Sequence, residues 1–546
     1  MKRLLLILSL AIAPILLTAQ SRGLDPRELY KPLADSWPTY AGDYSAKRFS
    51  ALKQLTPATV KNLSLAWVSK MSSGQGAMPN GAATIVGGEA AGDIGANIPV
   101  VIKGAVLAVN DVLYVTAPDN VWALDARDGR IMWHYYWKTK GGTHIGNRGA
   151  ALWHDSIFFE TPDDYLVKLD ARTGKEEWHV EIADFDQQYF STTAPVVIDN
   201  RLMVGTGNDL DAPGFLQAYE PEKGGLIWKF FTVPMNPGDP GLDSWPSLDA
   251  ARHGGGQVWM SGSFDPETRL YYFGTGNPTP GYTGAGRKGD NLFTCSLIAV
   301  NVDTGKMAWY FQTSAHDTHD WDSNQQPVLF DAMINGRMRK LVSTATRNGY
   351  FYTLDRVTGE HIVTSKFGSH TNWSPGVRPT GVVEPGKEAI VPGTLVSPIE
   401  GGVTNWPSPA YSPDTGLFYT QERNQFNLLY LTDPDPRGAM GNAGKTTATI
   451  GTTGDFLTAI DPKTGRIAWR RPVAGGNVGG ILATAGGLLF SSDGGENLVA
   501  WDAADGEALW GARIGNISNA PQTFTLDGKQ MVLIAVQDTL YAFRLN

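Results

Sequence analysis

One phrase recurs along the chain and constrains its fold more than any other feature. A short apolar strand is followed by an acidic or amide residue, a turn glycine and, four residues after the glycine, a tryptophan. It reads ALDARDGRIMW at 123–133, KLDARTGKEEW at 168–178, AYEPEKGGLIW at 218–228 and AVNVDTGKMAW at 299–309. It returns as TLDRVTGEHIV at 353–363, AIDPKTGRIAW at 459–469 and AWDAADGEALW at 500–510. The aromatic positions are Trp133, Trp178, Trp228, Trp309, Trp469 and Trp510, with Val363 in the fifth copy. Each phrase predicts a hairpin: Asp or Asn bonds the turn backbone, and Gly accepts positive φ. A large aromatic at a fixed place in each repeat predicts packing between neighbouring sheets.

An eighth copy is split. NLSLAW at 62–67 supplies a strand and Trp67, and MVLIAVQDTLYAFRLN at 531–546 supplies strands with no following tryptophan. Joining the two closes a ring and removes free sheet edges. The expected fold is therefore all-β, an eight-bladed β-propeller with tryptophan-docking repeats, as one domain over residues 20–546. The spacing of the copies is uneven. The excess lies before Trp133, between Trp228 and Trp309, and between Val363 and Trp469. Insertions of this kind gather on one face and build a binding surface.

Composition excludes several classes. With 63 Gly and 17 Trp in 546 residues and 18% charged residues, the chain has ample apolar surface for a large core and is not a disordered one. No G-x-y period exists, so it is not collagen-like. The net charge of −9 and the lack of a basic patch argue against nucleic acid. Lys2 and Arg3 precede an apolar run from Leu4 to Leu17, which predicts a secretory signal peptide over 1–19, cleaved after Ala19. A membrane anchor is the alternative reading of that run. No later run reaches ~18 apolar residues, so no span is expected in the mature chain, and its expected location is periplasmic. Cys295 is the only cysteine, which allows no intrachain disulfide and no C-x-x-C-H haem attachment.

Polar anomalies concentrate in and beside the insertions. HDTHDWD, His316 to Asp322, holds three carboxylates and two imidazoles, and reads either as a solvated acidic loop or as a metal site. GTGNDLDAPG at 205–214 adds Asp209 and Asp211 among glycines. Other such stretches are Asn147-Arg148-Gly149, STTAP at 191–195, GGGQVW at 254–259, YYFGTGNPTP at 271–280, TRNGYFYTLDR at 346–356 and GGVTNWPSPAYSPDTG at 401–416.

With the opening WPTYAGDYSAKRFSAL at 37–52 and the repeats, these motifs resemble, in order and over nearly all of the mature chain, the quinoprotein alcohol dehydrogenases that use pyrroloquinoline quinone (PQQ). The resemblance implies oxidation of an alcohol to an aldehyde, with hydride passing to metal-bound PQQ and electrons leaving to a separate soluble cytochrome c. It implies Asp320 as catalytic base and metal ligand, and Arg347 as the arginine bonding the quinone oxygens. Trp259 would be the floor beneath PQQ, and Asn277 an amide ligand of the metal. Arg148, Thr192, Asn405 and Trp406 would be further cofactor contacts. Oxygen ligands suit a hard ion.

The departures from the family pattern are also informative. The usual ligand Glu aligns with Asp209, one residue being deleted nearby, so either Asp209 or Asp211 takes its place. The adjacent cysteine pair beside the cofactor is Gly142-Thr143 here, a late tryptophan is Val478, and an early capping acid appears as Ala96. Asp322, two places after Asp320, would face the same side in an extended segment. An acid at that position resembles the lanthanide-dependent branch, so a lanthanide(III) ion is expected, with Ca²⁺ as the alternative. Two other readings are a non-enzymatic propeller scaffold like the outer-membrane assembly factor and a PQQ sugar or polyol dehydrogenase.

Overall fold

A computed structural model of the chain describes residues 23–72, 84–87, 100–141, 144, 146–432, 444–475 and 479–546. The expectations for residues 1–19, Ala96, Gly142-Thr143 and Val478 fall outside these.

The described residues form eight sheets, each built on four antiparallel strands that neighbour one another in chain order. The first runs through Leu107–Val109, Val112–Ala117, Asn120–Asp125 and Ile131–Tyr136. The next four follow the same plan through residues 150–181, 196–231, 263–312 and 328–366. The sixth carries two long strands, Leu417–Leu431 and Lys445–Asp461, which run beyond the sheet. The seventh spans 482–513 and takes Phe49–Ser50 in parallel on its first strand. In the eighth, Gln522–Leu526, Lys529–Val536 and Thr539–Leu545 are completed by Leu63–Lys70 from the other end of the chain. This is the pairing expected of the split copy.

The repeat phrase explains the local geometry. Asp170 Oδ1 accepts from the backbone N–H of Arg172 and Thr173, and Asp355 and Asn301 do the same in their turns. The turn glycines 129, 174, 224, 305, 359, 465 and 506 all have φ between +67° and +77°. A side chain there would be strained and would also strike the preceding sheet. A Cβ on Gly174 would lie 2.5 Å from the Trp133 ring, and one on Gly305 2.6 Å from Trp228. The indoles reach forward in turn. Trp67, Trp133, Trp178, Trp228 and Trp309 donate to the carbonyls of Ala126, Ala171, Glu222, Val302 and Arg356, each in the turn of the next sheet. Where Val363 replaces tryptophan, Gly465 packs on Val363 and Ser365 instead, and Thr353 Oγ1 donates to Pro462 O at 2.7 Å.

The segment 37–50 runs along the first strands, with Trp37, Tyr40, Tyr44 and Arg48 buried. Arg48, 1% exposed, donates to Ile481 O, Pro521 O and Tyr40 O and lies 4.7 Å from the Trp37 ring. In an antiparallel sheet the start of the first strand and the end of the second lie at one end. Residues just before first strands and just after second strands therefore meet at one face.

Candidate active site

A cavity of about 270 Å³ opens at that face. Its wall includes Arg148, Thr192, Trp259 and Trp406, which precede first strands, and Asp209, Asn277 and Arg347, which follow second strands. Asp320 and Asp322 come from the connection into the fifth sheet. Nine of the ten residues expected at the site thus share one cavity. Asn405 stands one residue behind the wall. Its amide donates to Gly401 O, and its Oδ1 accepts from Trp406 N–H at 2.8 Å, which holds the turn that presents Trp406.

The HDTHDWD stretch is not a solvated loop. Asp317, 3% exposed, turns its Oδ2 inward to accept from the backbone N–H of His319, Asp320 and Trp321. His319 stacks on Trp321 with centroids 4.0 Å apart. The extended geometry expected for Asp320 to Asp322 is corrected as well: Asp320 has φ +65°, in the left-handed region. The two carboxylates still converge, because Arg347 spans them. Its Nη1 is 3.5 Å from Asp320 Oδ1, and its Nη2 is 3.0 Å from Asp322 Oδ2. Asp322 also accepts from Trp259 Nε1 at 2.9 Å and from Asn277 N–H at 2.6 Å. Burial pushes the Asp320 carboxyl well above the usual aspartate range, with Arg347 opposing and Asp322 and Asp317 adding to the rise. Asp322 is raised for the same first reason.

The replacements for the family's Glu now separate. Asp209 lines the cavity, with Oδ2 2.5 Å from His144 Nε2, and this contact raises the His144 pKa. Asp211 is turned away, 3.2 Å from His253 Nδ1 and outside the lining.

The cavity also carries cations. Arg148 donates to Thr192 O and Thr192 Oγ1 and, at 3.4 Å, to Trp259 O, all neutral acceptors. Its guanidinium lies 4.8 Å from the Trp259 ring, and that of Arg347 lies 5.3 Å away. Burial pushes Arg148 down to about 10. Arg148 Nε, Arg347 Nε and Gln257 Oε1 are buried and lack partners among the described residues. Lys103, His144, Asn147, Asn208 and Gln257 also line the cavity. Gln257 was legible as part of GGGQVW; Lys103 stands in no motif.

Among the described residues, no group of three or more His, Cys, Asp or Glu side chains is arranged to hold a metal ion. The donor set, two converging carboxylates and an amide, needs further oxygen or nitrogen ligands from a bound molecule. That molecule must also suit an aromatic shelf and buried guanidinium N–H groups lacking partners. A planar quinone carrying carboxylates and ring donors fits all three requirements.

The fold and cavity together define a β-propeller domain with a site lined by acids, cations and indoles at its strand ends. A family signature described as the β-propeller domain of glucose, ethanol and alcohol dehydrogenases matches residues 37–366. One described as outer membrane protein assembly factor BamB matches 453–545. Quinohemoprotein alcohol dehydrogenase ADH-IIG of Pseudomonas putida is 31% identical, over 91% of this chain and 71% of that protein. The crystal structure of quinohemoprotein alcohol dehydrogenase from Comamonas testosteroni superposes with a TM-score of 0.82 at 29% identity, covering 96% of this chain and 82% of that one. A europium-containing methanol dehydrogenase shares the fold, with a TM-score of 0.80 at 24% identity over 95% and 99% of the two chains. The chain belongs to the PQQ-dependent quinoprotein alcohol dehydrogenase family.

Proposed function

We propose that this chain is a periplasmic PQQ- and metal-dependent alcohol dehydrogenase that forms an aldehyde and passes electrons to a separate soluble cytochrome c. The observation that carries the reading is the single cavity joining Trp259, Arg148, Arg347, Asn277, Asp320 and Asp322. In the same reading the eight sheets are eight blades of one ring, residues 20–546 are one domain, and the tryptophans dock each blade on the next. Export rests on the apolar run after Lys2 and Arg3, and the cytochrome c acceptor on relatives named for it, such as 1-butanol dehydrogenase (cytochrome c) of Thauera butanivorans. No helix among the described residues is long and apolar enough to cross a membrane.

Trp259, Arg148, Thr192, Trp406 and Arg347 would hold PQQ, with Asn405 supporting Trp406. Asn277, Asp320 and Asp322 would hold the ion, and Asp209, which pairs with His144 and is not grouped with those carboxylates, would join them on releasing His144. Bound there, PQQ supplies an electrophilic quinone carbonyl that accepts hydride from the alcohol carbon, polarised by the metal and by Arg347. Asp320 takes the hydroxyl proton. Arg347 fixes the base by donating to Asp320 O at 2.8 Å. Donors orient both oxygens of Asp322: Trp259 Nε1 and Arg347 Nη2 meet Oδ2, and Asn277 N–H donates to Oδ1. A second carboxylate beside Asp320 better neutralises a trivalent ion, so a lanthanide is favoured over Ca²⁺.

Reconstitution of apoprotein with PQQ and either La³⁺ or Ca²⁺ tests this in a dye-linked assay over a panel of alcohols. Wild type should be more active with La³⁺, and Asp322→Ala should lose that preference. Full activity with Ca²⁺ alone, unchanged in Asp322→Ala, would refute the metal assignment. No alcohol oxidation with either metal would refute the function.

Trp259→Ala should raise the Kd for PQQ about tenfold or more, since stacking on a large aromatic contributes on the order of 1 kcal/mol beyond area burial. Melting should change little, because Trp259 lies outside the blade phrases. A large loss of stability with normal PQQ binding would instead make it a packing residue.

A further inference from the structure

Lys103 lines the cavity, yet no motif announces it and no ion pair holds it among the described residues. Its position is built. Ile102 N–H donates to Gln537 O at 2.8 Å, and Ser518 Oγ donates to Ile102 O at 2.8 Å. On the other side, Asn519 Nδ2 donates to Gly104 O, and Ala105 N–H donates to Arg148 O, both at 3.1 Å. Gly104 is needed there, since a Cβ would lie 2.7 Å from the Arg148 carbonyl carbon. The backbone of Lys103 is thus fastened against the backbone of Arg148.

The repeat gives the placement a meaning. Lys103 stands in the same register before the turn glycine Gly129 as Arg148 does before Gly174. It also lies as far ahead of its first strand, Leu107–Val109, as Thr192, Trp259 and Trp406 lie ahead of theirs. All of these line the cavity. Lys103 is the first sheet's contribution to a ring of such positions.

Charge then selects the ligand chemistry. The cavity's acids, Asp320 and Asp322, are engaged by Arg347, and Asp209 by His144. Lys103 and Arg148 face the cavity as neighbouring cations with no carboxylate partner among the described residues. Surrounding protein and the Arg148 charge push the Lys103 ammonium below the usual lysine value. Two like charges held together at the wall of the cavity form a site for an anion.

We infer that Lys103 is a cofactor-binding residue that, beside Arg148, takes a carboxylate of the quinone cofactor. This rests on the PQQ reading above, and the test separates the two. Metal-loaded apoprotein is titrated with PQQ and with its trimethyl ester, following tryptophan fluorescence and calorimetry. Lys103→Met should raise the Kd for PQQ between about tenfold and a hundredfold, the range of a hydrogen bond to a charged group. Lys103→Glu should raise it further, and Lys103→Arg should restore most of the affinity. Added NaCl should weaken PQQ binding more in wild type than in Lys103→Met. With the ester, wild type and Lys103→Met should bind alike. Lys103 is exposed on its loop, and melting curves check that each variant is folded. Unchanged PQQ affinity in both Lys103→Met and Lys103→Glu would overturn the inference while leaving the PQQ reading intact. Failure of wild type to bind PQQ would overturn both.

Discussion

Replacing Asp320 by Asn is expected to lower kcat by about 10²–10⁴, the usual contribution of a positioned general base. The substitution keeps size and shape and removes the proton acceptor. It should leave the loop in place, because the loop is held through its backbone. Asp317 Oδ2 accepts from Asp320 N–H at 2.9 Å, and Arg347 Nη1 donates to Asp320 O at 2.8 Å. Neither contact uses the Asp320 side chain. Metal content and PQQ stoichiometry read on the same sample separate loss of the base from loss of the ion. Activity above a few per cent of wild type in a fully loaded Asp320→Asn sample would remove Asp320 from the role of base.

Arg356→Leu is expected to cost about 3–5 kcal/mol of folding stability, the cost of leaving one partner of a buried ion pair uncompensated. Arg356 Nε donates to Asp265 Oδ2 at 2.7 Å, with side chains 8% and 4% exposed. Its Nη1 also donates to Phe330 O and Asp331 Oδ1. The pair joins the fourth sheet to the fifth, beside the site where Trp309 donates to Arg356 O. Burial raises the Asp265 pKa, but the guanidinium outweighs it and holds the carboxyl below its ordinary value. The folded value therefore lies below the unfolded one. Ionised Asp265 contributes stability above its unfolded pKa, and that contribution is lost as the pH falls through the folded value. The deficit in Arg356→Leu should accordingly be largest at neutral pH and shrink toward acid, where Asp265 is neutral in either protein. Adding Asp265→Asn should recover part of it. Urea midpoints at two pH values give the measurement, or unfolding rates if refolding is incomplete. A loss below about 1 kcal/mol would show the pair to be dispensable.

The hairpins were readable because their causes are local. Asp170, its following turn and Gly174 act on one another within a few residues, and Trp178 sits at a fixed offset on the next strand. Seven such units, plus Trp67 and the C-terminal strands, leave few ways to bury so many indoles other than sheet on sheet. The cluster of Trp259, Asp320 and Arg347 was reached through motif likeness rather than by distance along the chain.

Other features depend on contacts between segments far apart in sequence. Whether Asp209 or Asp211 enters the cavity turns on where His144 and His253 come to rest. The convergence of Asp320 and Asp322 follows from Arg347, in a turn of the fifth sheet, and from a left-handed residue that period-two reasoning does not anticipate. Asn405 is drawn into its own turn, where Trp406 takes the cavity wall. Lys103 carries no motif and becomes visible only when the first sheet is laid beside the second, with Gly104 packed on Arg148. Turn chemistry is short-ranged and recorded in neighbouring letters. A binding cavity is a meeting of strand ends from around the ring, and its charges are set by which of them arrive unpaired.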